Sequence, residues 1–260
     1  MNDFVIEIEG LGKRFKLGQR RGSVNLRGAL EGILRRPFRH LKLVPEPNSN
    51  PYVWALKEVS FSLRQGDVMG LIGGNGAGKS VLLKILARIT KPTEGRALVR
   101  GRIGAMLEVG AGFHPELTGR ENIYLSGTIL GMSPASISRQ FDEIVSFSGV
   151  ERFLYTPIKH YSSGMRMRLA FAVAAHLDTQ ILLVDEVLSV ADDAFREMCI
   201  TKLKQTAETG KTIMIVSHDP SVIERLCHRA LLLANGRVMM DDTVPRVMRK
   251  YLEEDKRAAS

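Results

Sequence analysis

The chain has no long hydrophobic run. None of its apolar stretches approaches the roughly 18 consecutive residues of a membrane-spanning helix, which excludes a helical integral membrane protein. Its first residues, Met1-Asn2-Asp3-Phe4, lack the basic start and apolar core of a secretory signal, so a cytoplasmic location is expected. Only two cysteines occur in 260 residues. Cys199 and Cys227 lie in helix-like contexts without metal-ligand spacing, which excludes a disulfide framework and a zinc site and leaves buried thiols in a reducing compartment. There is no internal repeat and no long low-complexity tract. What remains, 44% hydrophobic and 25% charged, is an ordinary globular composition, large enough for one α/β core with an inserted subdomain.

Acidic residues are also nearly missing from one segment. Residues 13 to 42 hold ten Lys or Arg (Lys13, Arg14, Lys16, Arg20, Arg21, Arg27, Arg35, Arg36, Arg39, Lys42) against Glu31 alone, so this stretch accounts for the whole net charge of +9. A nucleic-acid-binding face spread over the domain is therefore not indicated, and no nucleic-acid partner is expected. Within the segment, Leu26, Ala29, Leu30, Ile33 and Leu34 recur at helical spacing opposite Arg27, Arg35 and Arg36, and Pro37 should end the turn. Gly28 and Gly32 weaken that helix, so it needs a partner surface to persist. Two readings stand: a solvated basic loop, or a cationic amphipathic helix at a membrane surface or against a membrane partner, which the apolar stripe favours. Residues 43 to 52 form a proline-rich connector back to the core.

The most informative stretch is Gly73-Gly74-Asn75-Gly76-Ala77-Gly78-Lys79-Ser80, between a strand-like run at 67–72 and the helix-like run beginning at Val81. It fits G-x-x-x-x-G-K-[ST] in the strand–loop–helix context such a phosphate-binding loop requires. Glycines let successive backbone N–H groups turn inward on phosphate oxygens, and the helix that follows adds the positive end of its dipole. Lys79 is expected to reach the β- and γ-phosphates and Ser80 to ligate Mg²⁺. A second landmark is Ile181-Leu182-Leu183-Val184-Asp185-Glu186, an apolar strand buried on both faces that delivers two carboxylates at its C-terminal end. Asp185 suits Mg²⁺, and Glu186 suits the positioning or deprotonation of an attacking water. Between the two lies Tyr161-Ser162-Ser163-Gly164-Met165, directly before a helical run. It reads either as an ordinary N-cap or as a second anion-attracting helix end that meets nucleotide bound to another subunit.

Strands are predicted at 4–9, 53–63, 67–73, 96–100, 181–185, 212–216, 230–234 and 236–240, and helices at 79–90, 118–131, 134–148, 165–177, 193–208, 219–227 and 243–253. The order implies a P-loop α/β core, a mixed sheet with flanking helices, interrupted by a mostly helical insertion. Residues 1–254 are expected to form a single nucleotide-binding domain, with the basic insertion at about 16–52, the helical subdomain at about 112–178 and a tail at 255–260.

With these motifs in this order, over roughly residues 4 to 254, the chain resembles the ATP-binding cassette (ABC) ATPases. The resemblance implies that ATP is held by Gly73, Gly74, Asn75, Gly76, Ala77, Gly78, Lys79, Ser80 and Val81. It implies that Ser162, Ser163, Gly164 and Met165, matching the family signature, face the nucleotide of a second copy. It also implies Mg²⁺ at Ser80, Asp185 and Glu108, with Glu108 standing where the family has a metal-contacting glutamine. His218, in Ile215-Val216-Ser217-His218-Asp219, matches the switch histidine that touches the γ-phosphate, and Ser189 to Asp192 match a dimer-contact loop. Phe15 resembles the aromatic that stacks on adenine, with Tyr52 and Trp54 as rivals. Ser163 and Met165 in the signature, and the Gly104–Asn122 stretch, are similar to the subunits that export lipid-linked bacterial polysaccharides such as O-antigen, capsule or teichoic acid. The implied partners are membrane-spanning permease subunits, a second copy of the chain and a lipid-linked glycan, at the cytoplasmic face of the cytoplasmic membrane. An ATPase serving another membrane substrate, a lipid or a drug, or a soluble cytosolic relative, is the alternative. No carbohydrate-binding domain is expected after Tyr251-Leu252.

Overall fold

The computed structural model describes residues 3–16, 52–107, 112–185, 192–217 and 219–258. Strands β1 (Phe4–Lys16), β2 (Tyr52–Arg64) and β4 (Glu94–Val99) form an antiparallel sheet in the order β2-β1-β4. A second, six-stranded sheet has the order β5-β6-β7-β3-β8-β9, from β3 (Val68–Ile72), β5 (Ile103–Met106), β6 (Ile181–Asp185), β7 (Thr212–Val216), β8 (Arg229–Ala234) and β9 (Arg237–Thr243). Five of its strands run parallel, and only β9 is antiparallel to its neighbour. The helices are α1 (Lys79–Leu86), α2 (Gly119–Ile129), α3 (Pro134–Ser148), α4 (Ser163–Ala175), α5 (Asp193–Glu208), α6 (Pro220–Leu226) and α7 (Val244–Ala258).

Side-chain alternation in the large sheet explains its unbroken apolar runs. Leu182, Val184, Ile213, Ile215, Ala230 and Leu232 enter one core with α2 to α7, whereas Ile181, Leu183, Met214, Val216, Leu231 and Leu233 enter another with α1 and the small sheet. Both faces are covered, so both sets must be apolar. The parallel register also aligns the strand ends that matter. Val216 pairs with Leu71 on one side and with Asp185 on the other, so the end of β3, Asp185 and Ser217 emerge along one edge of the sheet.

Three expectations need correction. The predicted helix at 79–90 stops at Leu86, since Arg88 adopts φ +60. Strand β5 was not predicted: a four-residue Ile-Gly-Ala-Met run carries too short a pattern to read. Strand β1 continues past Gly10 (φ +55) because bulges at Ile8/Leu11 and Leu11/Lys13 restore its pairing with β2 as far as Lys16↔Tyr52.

Candidate functional site

The loop between β3 and α1 is fixed by backbone geometry. Gly78, the residue before α1, has φ +106, and a Cβ there would lie 2.5 Å from the Ala55 carbonyl oxygen and 2.7 Å from Leu56 Cδ2. Only glycine meets both conditions. The loop is also braced from the side. Asn235 (φ 50) and Gly236 (φ 74) make the left-handed turn between β8 and β9, and the Gly236 N–H donates to the Ala77 carbonyl at 3.1 Å. The Lys57 N–H in turn donates to the Gly236 carbonyl at 2.8 Å, so all three segments are tied. Asn-Gly between two apolar runs is a hairpin signal, yet sequence reading assigned it no part in the loop's support. The Lys79 ammonium is buried and donates to the Gly73 and Gly74 carbonyls at 2.7 and 3.1 Å. Its charge is thus held at the loop's own mouth, at the positive end of α1, where a phosphate would complete the neutralisation.

Asp185 closes β6 with its Oδ1 atom buried. A hydroxyl at Ser80 and a carboxylate at Asp185 are hard oxygen donors of the kind Mg²⁺ prefers. Among the described residues no group of three or more His, Cys, Asp or Glu could hold a metal by itself. Glu108, Glu186 and His218 lie outside the described residues, as do Ser189 to Ala191 and the predicted basic helix near 25–36. Flanking His218, the Ser217 hydroxyl accepts from the Asp219 N–H at 3.0 Å, and Asp219 caps α6 by accepting from the Ser221 N–H at 2.9 Å.

The second helix end is built differently. Ser162 is the N-cap of α4, its hydroxyl accepting from the Met165 N–H at 3.2 Å, so Ser163 and Gly164 belong to the first helical turn. Ser162, Ser163 and Gly164 are exposed, and Met165 is half-buried against the core. Behind them Tyr161 is buried and donates to the Phe153 carbonyl at 2.7 Å, and Arg166 donates to the Tyr161 carbonyl at 2.8 Å. One turn further, Arg168 donates to Asp192, the N-cap of α5, and its guanidinium lies over the Phe195 ring at 5.2 Å. The Phe195 N–H, followed by Arg168, holds the Asp192 carboxyl below the usual aspartate range. Arg168 thereby ties the signature helix to the residue that ends the stretch matched to a dimer-contact loop. Sequence reading had not singled out Arg168; an Asp directly before a helical run was the available signal.

Asn122, fully buried on α2, donates to the carbonyls of His114, Leu117 and Thr118 at 3.1, 3.0 and 2.9 Å and accepts from the His114 N–H at 2.7 Å. It fixes the 114–118 loop against the helical layer. Beside that loop a cavity of about 450 Å³ is lined by Phe113, Pro115, Ile158, Lys159, Arg166 and Met167, with Ser163 at its rim.

Phe15 and its two rivals point in opposite directions. In the β1–β2 register Arg14 faces Trp54 and Lys16 faces Tyr52, whereas Phe15 faces Val53. Phe15 therefore leaves the hairpin from the face opposite Tyr52 and Trp54, and a nucleotide on one face meets only one of the two sets. The two cysteines are buried, and burial pushes each thiol up to about 12, so they are inert packing.

Comparison with known proteins agrees with this geometry. The ABC transporter family model matches residues 56–189. The chain is 37% identical to the O-antigen export system ATP-binding protein RfbB of Klebsiella pneumoniae over 95% of its own length and 97% of that protein's. It is also 37% identical to the ABC transporter protein AbcA of Aeromonas salmonicida, over 99% of this chain and 80% of that protein. Among solved structures, a dimeric ATP-binding cassette in a post-hydrolysis state with ADP and phosphate superposes with a TM-score of 0.70 at 23% identity, covering 92% of this chain and 98% of that one. No helix among the described residues is long and apolar enough to cross a membrane. The chain belongs to the ABC transporter family, as one of its ATP-hydrolysing, nucleotide-binding cassettes.

Proposed function

We propose that this cassette is the ATPase subunit of a bacterial polysaccharide exporter, working at the cytoplasmic face of the membrane on a lipid-linked glycan. The observation that carries this reading is the near full-length similarity to an O-antigen export ATP-binding protein, together with a phosphate loop and a signature helix end built on one chain. Two copies close head to tail on two ATP molecules. In each site Lys79 and the loop backbone hold the phosphates, while Ser162, Ser163 and Gly164 of the second copy cover them from the other side. Ser80, Asp185 and Glu108 would hold Mg²⁺, which would supply positive charge against the phosphates. Glu186 orients the attacking water and accepts its proton, and His218 contacts the γ-phosphate so that its loss is felt along β7. Phe15 stacks on adenine, its exposed ring lying on the hairpin face away from Trp54. Closure reaches the permease through the 106–125 surface and the cavity beside Phe113 and Arg166.

The test is to purify the tagged chain from gently solubilised membranes and identify its partners, alongside a Glu186→Gln variant. Recovery of a multi-span permease is expected. The variant should lose hydrolysis by about 10²-fold or more, the scale of a positioned acid–base group, yet retain ATP as a trapped dimer. Hydrolysis at the parental rate would remove Glu186 from this role, and recovery with ribosomes or nucleic acid in the soluble fraction would sink the exporter reading.

A further inference from the structure

We propose that the open end of the β1–β2 hairpin docks directly on an anionic lipid surface, a reading that rests on the chain working at a membrane. Residues 10–16 and 52–57 carry Lys13, Arg14, Lys16 and Lys57 and no acid. Towards the other end of the hairpin the charges cancel: Arg96 pairs with Glu9, Arg100 with Glu7 and Arg237 with Glu58. None of the four cations at the open end forms an ion pair with an acid among the described residues. In sequence, residues 17–51 join Lys16 to Tyr52 and carry seven more Lys or Arg against two Glu. By sequence, that connection and the hairpin end together hold the net charge of +9.

Aromatic rings are interleaved with these cations. The Arg14 guanidinium lies over Tyr52 at 4.7 Å and over Trp54 at 5.7 Å, and the Lys57 ammonium lies 6.0 Å from the Trp54 ring. Tyr52 is exposed at 36%. Tyrosine and tryptophan beside basic residues form the composition that settles at headgroup depth, with an apolar ring body and a polar tip. Cations near an anionic leaflet add to that attraction. The same geometry argues against single-stranded nucleic acid. Base stacking needs free ring faces, and here cationic side chains already lie over faces of Tyr52 and Trp54. Phe15 leaves the hairpin from the opposite face, where the Lys13 ammonium lies 5.3 Å from its ring, so that ring is not part of the Tyr52–Trp54 face.

Trp54 is the sole tryptophan of the chain and sits within the patch, which makes it a direct reporter. The full-length protein is mixed with phosphatidylglycerol–phosphatidylcholine vesicles, with phosphatidylcholine vesicles alone, with polyuridylate and with ATP, and read by flotation and Trp54 emission. Flotation with the anionic vesicles and a shift of emission to shorter wavelength are expected, both reversed by salt and absent with neutral vesicles, polyuridylate or ATP. Arg14→Glu should weaken vesicle partition about 25-fold, at about fivefold for each of two units of charge, with its melting temperature showing that the variant is folded. Tyr52→Ser should weaken it less and remove much of the emission shift. The proposal is overturned if the protein does not float, if it floats with no change at Trp54 or in Arg14→Glu, or if ATP or polyuridylate shifts the emission instead. None of these outcomes bears on permease recovery or on Glu186, so this proposal and the exporter reading fail separately.

Discussion

Gly78 and Gly164 both stand at the start of a helix, and they are glycines for different reasons. At Gly78 the single chain demands it: φ is +106, and a Cβ would press on Ala55 and Leu56. At Gly164 the chain demands nothing. Its backbone is helical, and the nearest atom to an added Cβ is the Ser162 hydroxyl at 3.9 Å. The glycine at 78 is required by the fold of one copy, whereas the proposed shared site would give the glycine at 164 its reason only when a second copy approaches it.

The largest effect should come from Gly78→Ala. Backbone strain of about 1–3 kcal/mol adds to the contact with Ala55, and the loop must open to relieve both. ATP affinity should fall on the order of 100-fold, as about 2.7 kcal/mol of lost preorganisation implies, with a lower melting temperature; titration calorimetry and a thermal scan would measure both. Gly164→Ala should do the reverse to the isolated chain. Alanine is the better helix former by up to about 1 kcal/mol, so the monomer should melt higher and bind ATP unchanged, while ATP-driven dimerisation and hydrolysis fall. A Gly164→Ala protein that dimerises and hydrolyses normally would show that no second copy closes on this helix end. Smaller again is Ser162→Ala, which removes the cap to Met165 and should cost about 1 kcal/mol in chemical denaturation.

The same contrast explains how much could be read from sequence. The phosphate loop was legible because backbone requirements there restrict residue type, and glycine spacing records them directly. The buried strand ending in Asp185 was legible because a sheet covered on both faces tolerates no polar residue between Ile181 and Val184. What escaped was tertiary. Nothing local to Asn235-Gly236 says that this turn donates to Ala77, and nothing local to Arg168 says that it reaches Asp192, 24 residues on. The direction in which Phe15 leaves the hairpin depends on bulges at Leu11 and Lys13, which shift the pairing by a residue and so cannot be counted from alternation alone.

If the exposed start of α4 is to press on a second copy, its far end has to be held, and His176 adds to the apolar packing of Leu169 to Ala175 that holds it. It caps the helix C-terminus, buried, with Nδ1 2.7 Å from the Ala172 carbonyl and its ring edge-on to Phe147 of α3. Burial is the main cause that draws its pKa below the ordinary 6.5; Lys202 and Lys211 act in the same direction, while the Ala172 carbonyl and Glu143, 3.8 Å from Nε2, oppose them. The folded state therefore prefers the neutral ring. Above pH 6.5 the ring is neutral in both states and its contribution to stability is complete. As the pH falls below 6.5 the unfolded chain takes up the proton first, and stability declines until the folded-state pKa is passed. Denaturation midpoints measured from pH 7.5 down to 5 should thus fall, and His176→Gln, which keeps an amide donor for Ala172, should flatten that fall while leaving the pH 7.5 value slightly reduced. An unchanged acid slope would place the proton uptake elsewhere and leave α4 anchored by apolar packing alone. If the slope does flatten, α4 has one end held by a neutral buried ring against Phe147 of α3 and one end open to solvent.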